Sequence, residues 1–242
     1  MLIRPQNSPM TDDPAARLRA LRARVAAAAL AAGRNADCVT LLAVSKGHSA
    51  AAVLALAQQG VEHFGESYLQ EAIPKLDALA GMELTWHFIG RMQANKTRAV
   101  AERFSWVHGV DRLRIAERLA AQRPHFAPPL NVCIQVKLAS DATKGGANAA
   151  QAAALVPAIA ALPRLRLRGL MCLLPDGLEP ASQRERFGAV RSLFDQLNRD
   201  GAALDTLSMG MSGDLEAAIA AGATLVRIGT ALFGSRPTPQ SP

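Results

Sequence analysis

Short apolar runs alternate with longer segments of helical pattern along most of the chain. The apolar runs cover residues 39–45, 61–65, 85–90, 104–110, 131–138, 166–174, 205–211 and 224–229. Ala-rich helical patterns lie between them, at 49–59, 68–80, 94–103, 112–122, 148–161, 181–200 and 213–221. Strands that alternate with helices in this way indicate βαβ units and a parallel sheet.

Eight predicted strands in 242 residues favour a closed barrel. We therefore predict an α/β fold, a (β/α)8 TIM-type barrel with an extra N-terminal helix. That helix begins near Pro14, with Thr11 or the adjacent aspartates as its N-cap, and ends at Gly33. An open doubly wound sheet is the alternative, but no G-x-G-x-x-G follows the first run, which disfavours a dinucleotide-binding fold.

No long linker divides the chain, so we predict a single domain over residues 1–242 with flexible segments at 1–12 and 237–242. Aromatic residues make up only 4% of the sequence, so Ala, Leu and Val must fill the core. No apolar run is long enough to span a bilayer, and the N-terminus lacks the apolar segment of a secretory signal. We expect a cytoplasmic monomer without a membrane partner, and we expect the three cysteines to be free thiols.

The net charge of +7 does not by itself indicate a nucleic-acid partner. Basic residues are spread along helices, as in ARLRALRAR at 16–24, which is typical of a solvated face. Aromatic side chains on which bases could stack are scarce. We therefore predict no specific nucleic-acid binding.

A lysine directly follows the first apolar run, in the stretch LLAVSKGHSA. Because alternate residues of a strand share a face, Leu42, Val44 and Lys46 point the same way. Active sites of such barrels lie at the carboxyl ends of the strands. A desolvated lysine near other cations can attack an aldehyde as the free amine. Taken alone, however, a lysine at the end of a strand is more often an ordinary surface lysine.

The last predicted strand, in TLVRIGT, contains an arginine within an apolar run. By alternation, Val226 and Ile228 face the helices, whereas Leu225, Arg227 and Gly229 face the lumen. A buried guanidinium needs an acceptor. A nearby acidic side chain would be a purely structural partner.

The segments that follow the last two strands are rich in small residues. Gly229 and Thr230 open a turn in which backbone N–H groups and a hydroxyl can approach a phosphate. The preceding segment, LSMGMSGD, places Ser208, Gly210 and Ser212 ahead of a helix. These two loops are the recurrent phosphate site of TIM-type barrels. An aldehyde-reactive lysine, a phosphate cradle and a buried arginine together describe a site for pyridoxal 5′-phosphate (PLP).

Long motifs across the chain resemble the YggS/PROSC family, the PLP-binding homeostasis proteins. These motifs are AVSKGHS, HFGESYLQEAIPK, WHFIGRMQANKTRAV, WVHGVDRLRIAERL, LRGLMCL and LSMGMSGDLEAAIAAGATLVRIGTALFG. The resemblance extends from about residue 14 to Arg236. It implies the barrel of the alanine racemase N-terminal domain, covalently bound PLP, no established reaction and a role in vitamin B6 balance.

The resemblance also implies roles for individual residues. Lys46 would hold PLP as a Schiff base, and Arg227 would lie beside the pyridine ring. Ser208, the Met209 backbone, Gly229 and Thr230 would surround the phosphate. The sequence departs from the family at the mouth of the barrel, notably in Ser67 where asparagine is usual, and also at Gly109, Arg91, Met92 and Lys137.

Two further features have open interpretations. His87 lies between two aromatic residues of a predicted strand, and we expect a hydrogen-bonded barrel histidine there instead of a catalytic base. The segment ASDATKGGA at 139–147 could form a mobile lid with Lys144 as an anion contact, or an ordinary βα loop.

Three functions are compatible with such a site: a PLP carrier or homeostasis protein, a PLP-dependent amino-acid racemase, and a Schiff-base aldolase. Racemization needs an acid or base on each face of the substrate. Racemases with this barrel take the second one from a tyrosine in a C-terminal β-domain, whereas this chain ends at SRPTPQSP and its one tyrosine is Tyr68. We therefore expect a non-enzymatic protein that stores or delivers PLP, with apo PLP-dependent enzymes as candidate recipients.

Overall fold

The structure, a computed structural model, describes residues 13–138 and 145–235 and contains a closed parallel barrel of eight strands. The strands are β1 (Thr40–Val44), β2 (His63–Glu66), β3 (Thr85–Phe88), β4 (Trp106–Val110), β5 (Leu130–Gln135), β6 (Leu165–Met171), β7 (Thr206–Ser208) and β8 (Leu225–Ile228). Each strand pairs with the next in the chain, and β8 pairs with β1. The predicted barrel is confirmed, and the open sheet is excluded.

Helices follow the strands as the sequence pattern predicts. They are α1 (Pro14–Ala31), α2 (Ala50–Ala57), α3 (Leu69–Ala78), α4 (Thr97–Arg103), α5 (Leu113–Gln122), α6 (Ala149–Ala160), α7 (Pro180–Arg199), α8 (Leu215–Ala220) and α9 (Thr230–Phe233). The single turn of α9 was not predicted. Within the described ranges, no helix combines the length and apolarity needed to cross a bilayer.

The predicted N-terminal helix is α1, and it packs against α8 and α9. Its N-cap is Asp13, whose carboxylate accepts the N–H groups of Ala15 and Ala16. Arg17 Nε donates to the carbonyl of Leu232 at 2.9 Å. The helix that follows β8 is α9, which has only four residues. Helix α1 therefore covers the space beside α8 that a longer helix after β8 would fill. The alternative cap Thr11 and the ends predicted to be flexible, 1–12 and 237–242, lie outside the described residues.

The hydrophobic core lies mainly between the strands and the surrounding helices. It includes Phe64, Phe88, Val226 and Ile228, all fully buried. The outward orientation predicted for Val226 and Ile228 agrees with this cluster. Arg227, between them in sequence, therefore faces the lumen.

Candidate functional site

A cavity of about 680 Å³ opens at the carboxyl ends of the strands, and we call it the mouth cavity. Its wall includes Lys46 after β1, Arg227 on β8, and Gly229 and Thr230 after β8. Cavities of this size are typical of small-molecule sites. The fold thus brings together four of the six residues predicted to contact the cofactor.

The backbone before Lys46 is held by a buried polar cluster. Ser45 is fully buried, and its hydroxyl donates to Glu66 Oε1 at 2.6 Å. The ammonium group of Lys75 donates to the same carboxylate oxygen at 2.6 Å and to the Ser45 carbonyl at 2.8 Å. Burial raises the pKa of Glu66, and the bonds from Lys75 and Ser45 partly oppose that shift. These contacts fix the end of β1, from which Lys46 reaches the cavity.

The backbone after Lys46 is held as well. Gly47 adopts a φ of 77°, which favours glycine, and its N–H donates to Glu71 Oε2 at 2.7 Å. His48, which also lines the mouth cavity, stacks on Phe233 with ring centroids 4.7 Å apart. The turn that carries Lys46 is therefore anchored on both sides.

Arg227 is buried, with 4% of its surface exposed, and it is held by neutral acceptors. Its Nη1 donates to the carbonyl and the hydroxyl of Ser208, at 2.6 and 2.8 Å, and its Nη2 donates to the Cys172 carbonyl at 2.7 Å. In the part of the chain that the structure describes, no carboxylate lies within ion-pair distance of Arg227. Burial lowers the pKa of Arg227, but a guanidinium remains charged at neutral pH. The acidic structural partner considered from the sequence is therefore not found in these ranges.

The loop after β7 approaches the mouth cavity through a glycine turn. Gly210 has a φ of 97°, and a Cβ added there would lie 2.6 Å from the Cβ of Ala218. Asp214 accepts the Met211 N–H at 2.5 Å and stands at the N-cap of α8. Ser212 lies on the cavity wall. The sequence motif LSMGMSGD thus turns a hydroxyl and small residues toward the cavity beside the loop after β8.

Ser208 and Met209 lie below this wall and are fully buried. The Ser208 hydroxyl faces Arg227, and the Met209 N–H donates to the carbonyl of Leu225 at 3.1 Å. Neither residue lines the mouth cavity, whereas Ser212 does. Phosphate contacts from Ser208 and Met209 remain predictions from the family resemblance.

Three histidines form a hydrogen-bonded series in the lumen, which we call the histidine relay: His63, His87 and His108. His63 Nδ1 lies 3.0 Å from His87 Nε2, and His87 Nδ1 lies 2.9 Å from His108 Nε2. In the strand register, His63 pairs with Thr85 and His87 pairs with Trp106. Each histidine therefore stands two residues further along its strand than the preceding one. His87 is a hydrogen-bonded barrel histidine, as the sequence suggested, but its partners were not foreseen.

Other residues of the mouth differ from the sequence-based picture. Tyr68 is the N-cap residue of α3, is 53% exposed and lines the mouth cavity, so it stands at the rim of the site. Ser67 and Arg91, two departures from the family pattern, also line the cavity. A Cβ added at Gly109 would lie 2.8 Å from the Gly90 carbonyl oxygen, which leaves little room for serine there. Lys144 of the possible lid lies outside the described residues.

The chain is similar to proteins of one known family. Residues 16–237 match the family described as alanine racemase, N-terminal domain. A pyridoxal phosphate homeostasis protein from Pseudomonas aeruginosa is 55% identical over 214 residues, which cover 88% of this chain and 92% of that protein. A protein of the same name from Escherichia coli is 47% identical over 228 residues, which cover 93% and 97% of the two chains.

A solved structure extends the comparison to the fold. PipY from Synechococcus elongatus, determined with PLP bound, superposes with a TM-score of 0.81 at 38% identity. The alignment covers 91% of this chain and all of that one (100%). The chain therefore belongs to the alanine racemase N-terminal domain family and, within it, to the pyridoxal phosphate homeostasis proteins.

Proposed function

We propose that this protein binds PLP in the mouth cavity and acts in vitamin B6 homeostasis by storing or delivering the cofactor. The chemistry of the cavity wall fits the three reactive parts of PLP. A primary amine is present at Lys46 for the aldehyde, and the Arg227 guanidinium can donate to the pyridine nitrogen. Hydroxyls and small residues at Ser212, Gly229 and Thr230 suit a phosphate. The joint presence of Lys46 and Arg227 on one cavity wall is the observation that carries the proposal.

Each group has a distinct task in this proposal. Lys46 would hold the aldehyde carbon through its amine nitrogen, with the aldehyde oxygen lost as water, and the anchored turn around it limits the positions that the amine can reach. Arg227 donates to the pyridine nitrogen and, because it stays charged, keeps that nitrogen unprotonated. Thr230 and Ser212 donate to the phosphate oxygens. When bound, PLP would supply an aldehyde and a ring that withdraws electrons, and this electron withdrawal is stronger when the ring nitrogen is protonated.

Storage or delivery is favoured over catalysis by the residues that surround Lys46. A PLP enzyme benefits from a protonated ring nitrogen, which a charged arginine opposes. Asp214 is engaged with the Met211 N–H, and His48 is stacked on Phe233, so neither is placed as a general base. We further propose that the protein is cytoplasmic and that apo PLP-dependent enzymes receive its cofactor.

A second candidate function, amino-acid racemization, is favoured by one observation. Tyr68 lines the mouth cavity together with Lys46, and racemization uses one acid or base on each face of the substrate. Tyr68 is half exposed, and its side chain makes no capping hydrogen bond at α3, whereas the turn around Lys46 is anchored on both sides. For this reason the carrier function remains the better supported one.

A spectrum and a transfer assay test the proposal together. The purified protein should show a visible absorption band with PLP, and borohydride should fix the cofactor to the peptide that contains Lys46. Mixed with an apo PLP enzyme, the loaded protein should restore that enzyme's activity even when a phosphatase destroys PLP released to solution. A protein that gains no band with added PLP would contradict binding. Activity restored only without the phosphatase would contradict direct delivery.

A further inference from the structure

The histidine relay meets Arg227 at a single hydroxyl group. His108 Nδ1 lies 2.8 Å from Ser208 Oγ, and Arg227 Nη1 donates to the same oxygen at 2.8 Å. His108 is on β4 and Ser208 is on β7, strands that are not neighbours in the barrel. Their contact therefore crosses the lumen, and all three residues are buried there.

The direction of these hydrogen bonds follows from the groups involved. A guanidinium carries donors and no acceptor, so Ser208 Oγ accepts from Arg227. A buried hydroxyl proton without an acceptor is costly, and His108 Nδ1 is placed to accept it. His108 then carries its own proton on Nε2 and donates to His87 Nδ1. His87 donates in turn through Nε2 to His63 Nδ1.

This arrangement requires neutral imidazoles, and the surroundings favour them. Burial and the charge of Arg227 lower the pKa of His108 to about 3. Burial lowers the pKa of His87 well below its usual value, and the neighbouring His108 and His63 make smaller contributions in the same direction. A neutral imidazole offers one acceptor nitrogen, whereas an imidazolium would offer none to Ser208.

Apart from Arg227, the charged groups near the relay lie around His63 and His87. Burial lowers the pKa of His63, and Glu62 opposes that shift. The His87 ring stacks on Trp106 with centroids 5.2 Å apart, and the Arg168 guanidinium lies 4.6 Å from the centre of the Trp106 ring. Arg168 is paired with Asp205. Arg227 is therefore the charged group that acts on His108, the histidine at the other end of the relay.

We propose that His108 and His87 are positioning residues that act through Ser208 to orient the Arg227 guanidinium toward the mouth cavity. The inference rests on the proposed function, in which that guanidinium faces the ring of bound PLP. Carbonyl and hydroxyl oxygens are its acceptors in the described ranges, so a fixed Ser208 hydroxyl replaces the carboxylate that usually orients a buried arginine. Without the His108 acceptor, the hydroxyl proton is free to rotate, and the lone pair of Ser208 that accepts from Arg227 loses its fixed direction.

Two substitutions at His108 separate this role from packing. Asn offers an amide oxygen near the position of Nδ1, whereas Leu fills the space without an acceptor. His108→Leu should raise the PLP dissociation constant about five- to tenfold, the equivalent of one hydrogen bond, and should shift the visible band of the bound cofactor. His108→Asn should keep the PLP dissociation constant within about twofold of that of the unsubstituted protein. Both variants should melt at a lower temperature, so binding is measured well below that temperature. Equal effects of Leu and Asn, or unchanged binding with Leu, would overturn the inference.

A measurement on the cofactor-free protein keeps the inference testable if the variants fold poorly. Imidazole ¹⁵N shifts should show His108 and His87 as neutral Nε2–H tautomers at neutral pH. A neutral Nδ1–H tautomer at His108, or an imidazolium, would overturn the proposed direction of the relay. Failure of the unsubstituted protein to bind PLP would instead refute the proposed function, so the two failures are distinguishable.

Discussion

The ammonium group of Lys75 lies 2.6 Å from the Glu66 carboxylate inside the barrel wall, and both side chains are almost fully buried. Through the Ser45 carbonyl, this pair supports the turn that carries Lys46. A buried ion pair of this kind is costly to break, because removal of one partner leaves an uncompensated charge.

Lys75→Met should therefore destabilise the protein by about 3–5 kcal/mol. The free energy of unfolding, measured with urea, gives this value directly. In the double variant Glu66→Gln/Lys75→Met, most of the loss should be recovered, because no charge remains buried. A double variant that is less stable than Lys75→Met alone would contradict the pairing as the source of the loss.

Lys46→Ala should abolish the visible band of bound PLP while some non-covalent binding survives. Arg227 and the phosphate contacts remain in this variant, so equilibrium dialysis should still detect bound cofactor. Lys96→Ala is the matched control, because Lys96 lies outside the lining of the mouth cavity, and it should leave the band unchanged. A band that persists in Lys46→Ala would mean that another lysine holds PLP.

Pyridoxal should bind far more weakly than PLP. Charge-assisted hydrogen bonds contribute about 1.5–3 kcal/mol each, and several converge on the phosphate in the proposed site. Thr230→Val should weaken PLP binding by about tenfold or more and leave pyridoxal binding nearly unchanged. Equal losses for both ligands in a fluorescence titration would show that Thr230 does not contact the phosphate.

Mild acid should destabilise the apo protein through its buried histidines. The pKa of His108 lies near 3 in the folded protein and near 6.5 in the unfolded chain, so the unfolded state binds one more proton between these values. Stability is therefore lost as pH falls below 6.5, by about 1.4 kcal/mol between pH 7.5 and 5.5 from His108 alone. His87 adds a loss in the same direction.

Urea unfolding at these two pH values measures the effect as a difference between variants. His108→Asn should lose less stability on acidification than the unsubstituted protein, by about 1.4 kcal/mol. His125→Asn, at an exposed position, is the control for loss of a histidine. An identical loss in His108→Asn and the unsubstituted protein would mean that His108 is not held neutral by the fold.

Racemization should remain far below ordinary enzymatic rates. Placed general acids and bases each contribute typically 10²–10⁴-fold, and Tyr68 is half exposed at the rim of the cavity. Incubation with L-alanine in D₂O should give little exchange at Cα and little D-alanine. The Tyr68→Phe variant should form the same small amount of D-alanine. Rapid racemization that Tyr68→Phe abolishes would support the racemase alternative.

The eight strands and the helices α1 to α8 could be predicted because the contrast between apolar runs and helical periodicity is strong. Strand parity also placed Arg227 in the lumen, and the position after β1 placed Lys46 at the mouth. The four-residue α9 escaped prediction because it is too short to show a period. The same local reasoning gave Gly229 and Thr230 their place on the cavity wall.

The contacts that could not be predicted join residues far apart in sequence. His108 and Ser208 are separated by 100 positions, and their contact exists only because the barrel closes. The motif around Ser208 gives no sign of its hydrogen bond with Arg227, and its contact with the phosphate stays a prediction. The pairing of Glu66 with Lys75 could not be predicted, because burial of a charge is not visible in a sequence pattern.

The packing of α1 against α8 and α9 has a consequence for biosynthesis. Arg17 and Leu232 are hydrogen-bonded across 215 positions, so α1 leaves the ribosome long before the segment that it binds has been made. During translation α1 must stay unpaired or rest on other surfaces, and the barrel can close only after β8 has emerged. Emergence of β8 and α9, not growth of any earlier βα unit, would then set the moment at which the barrel closes.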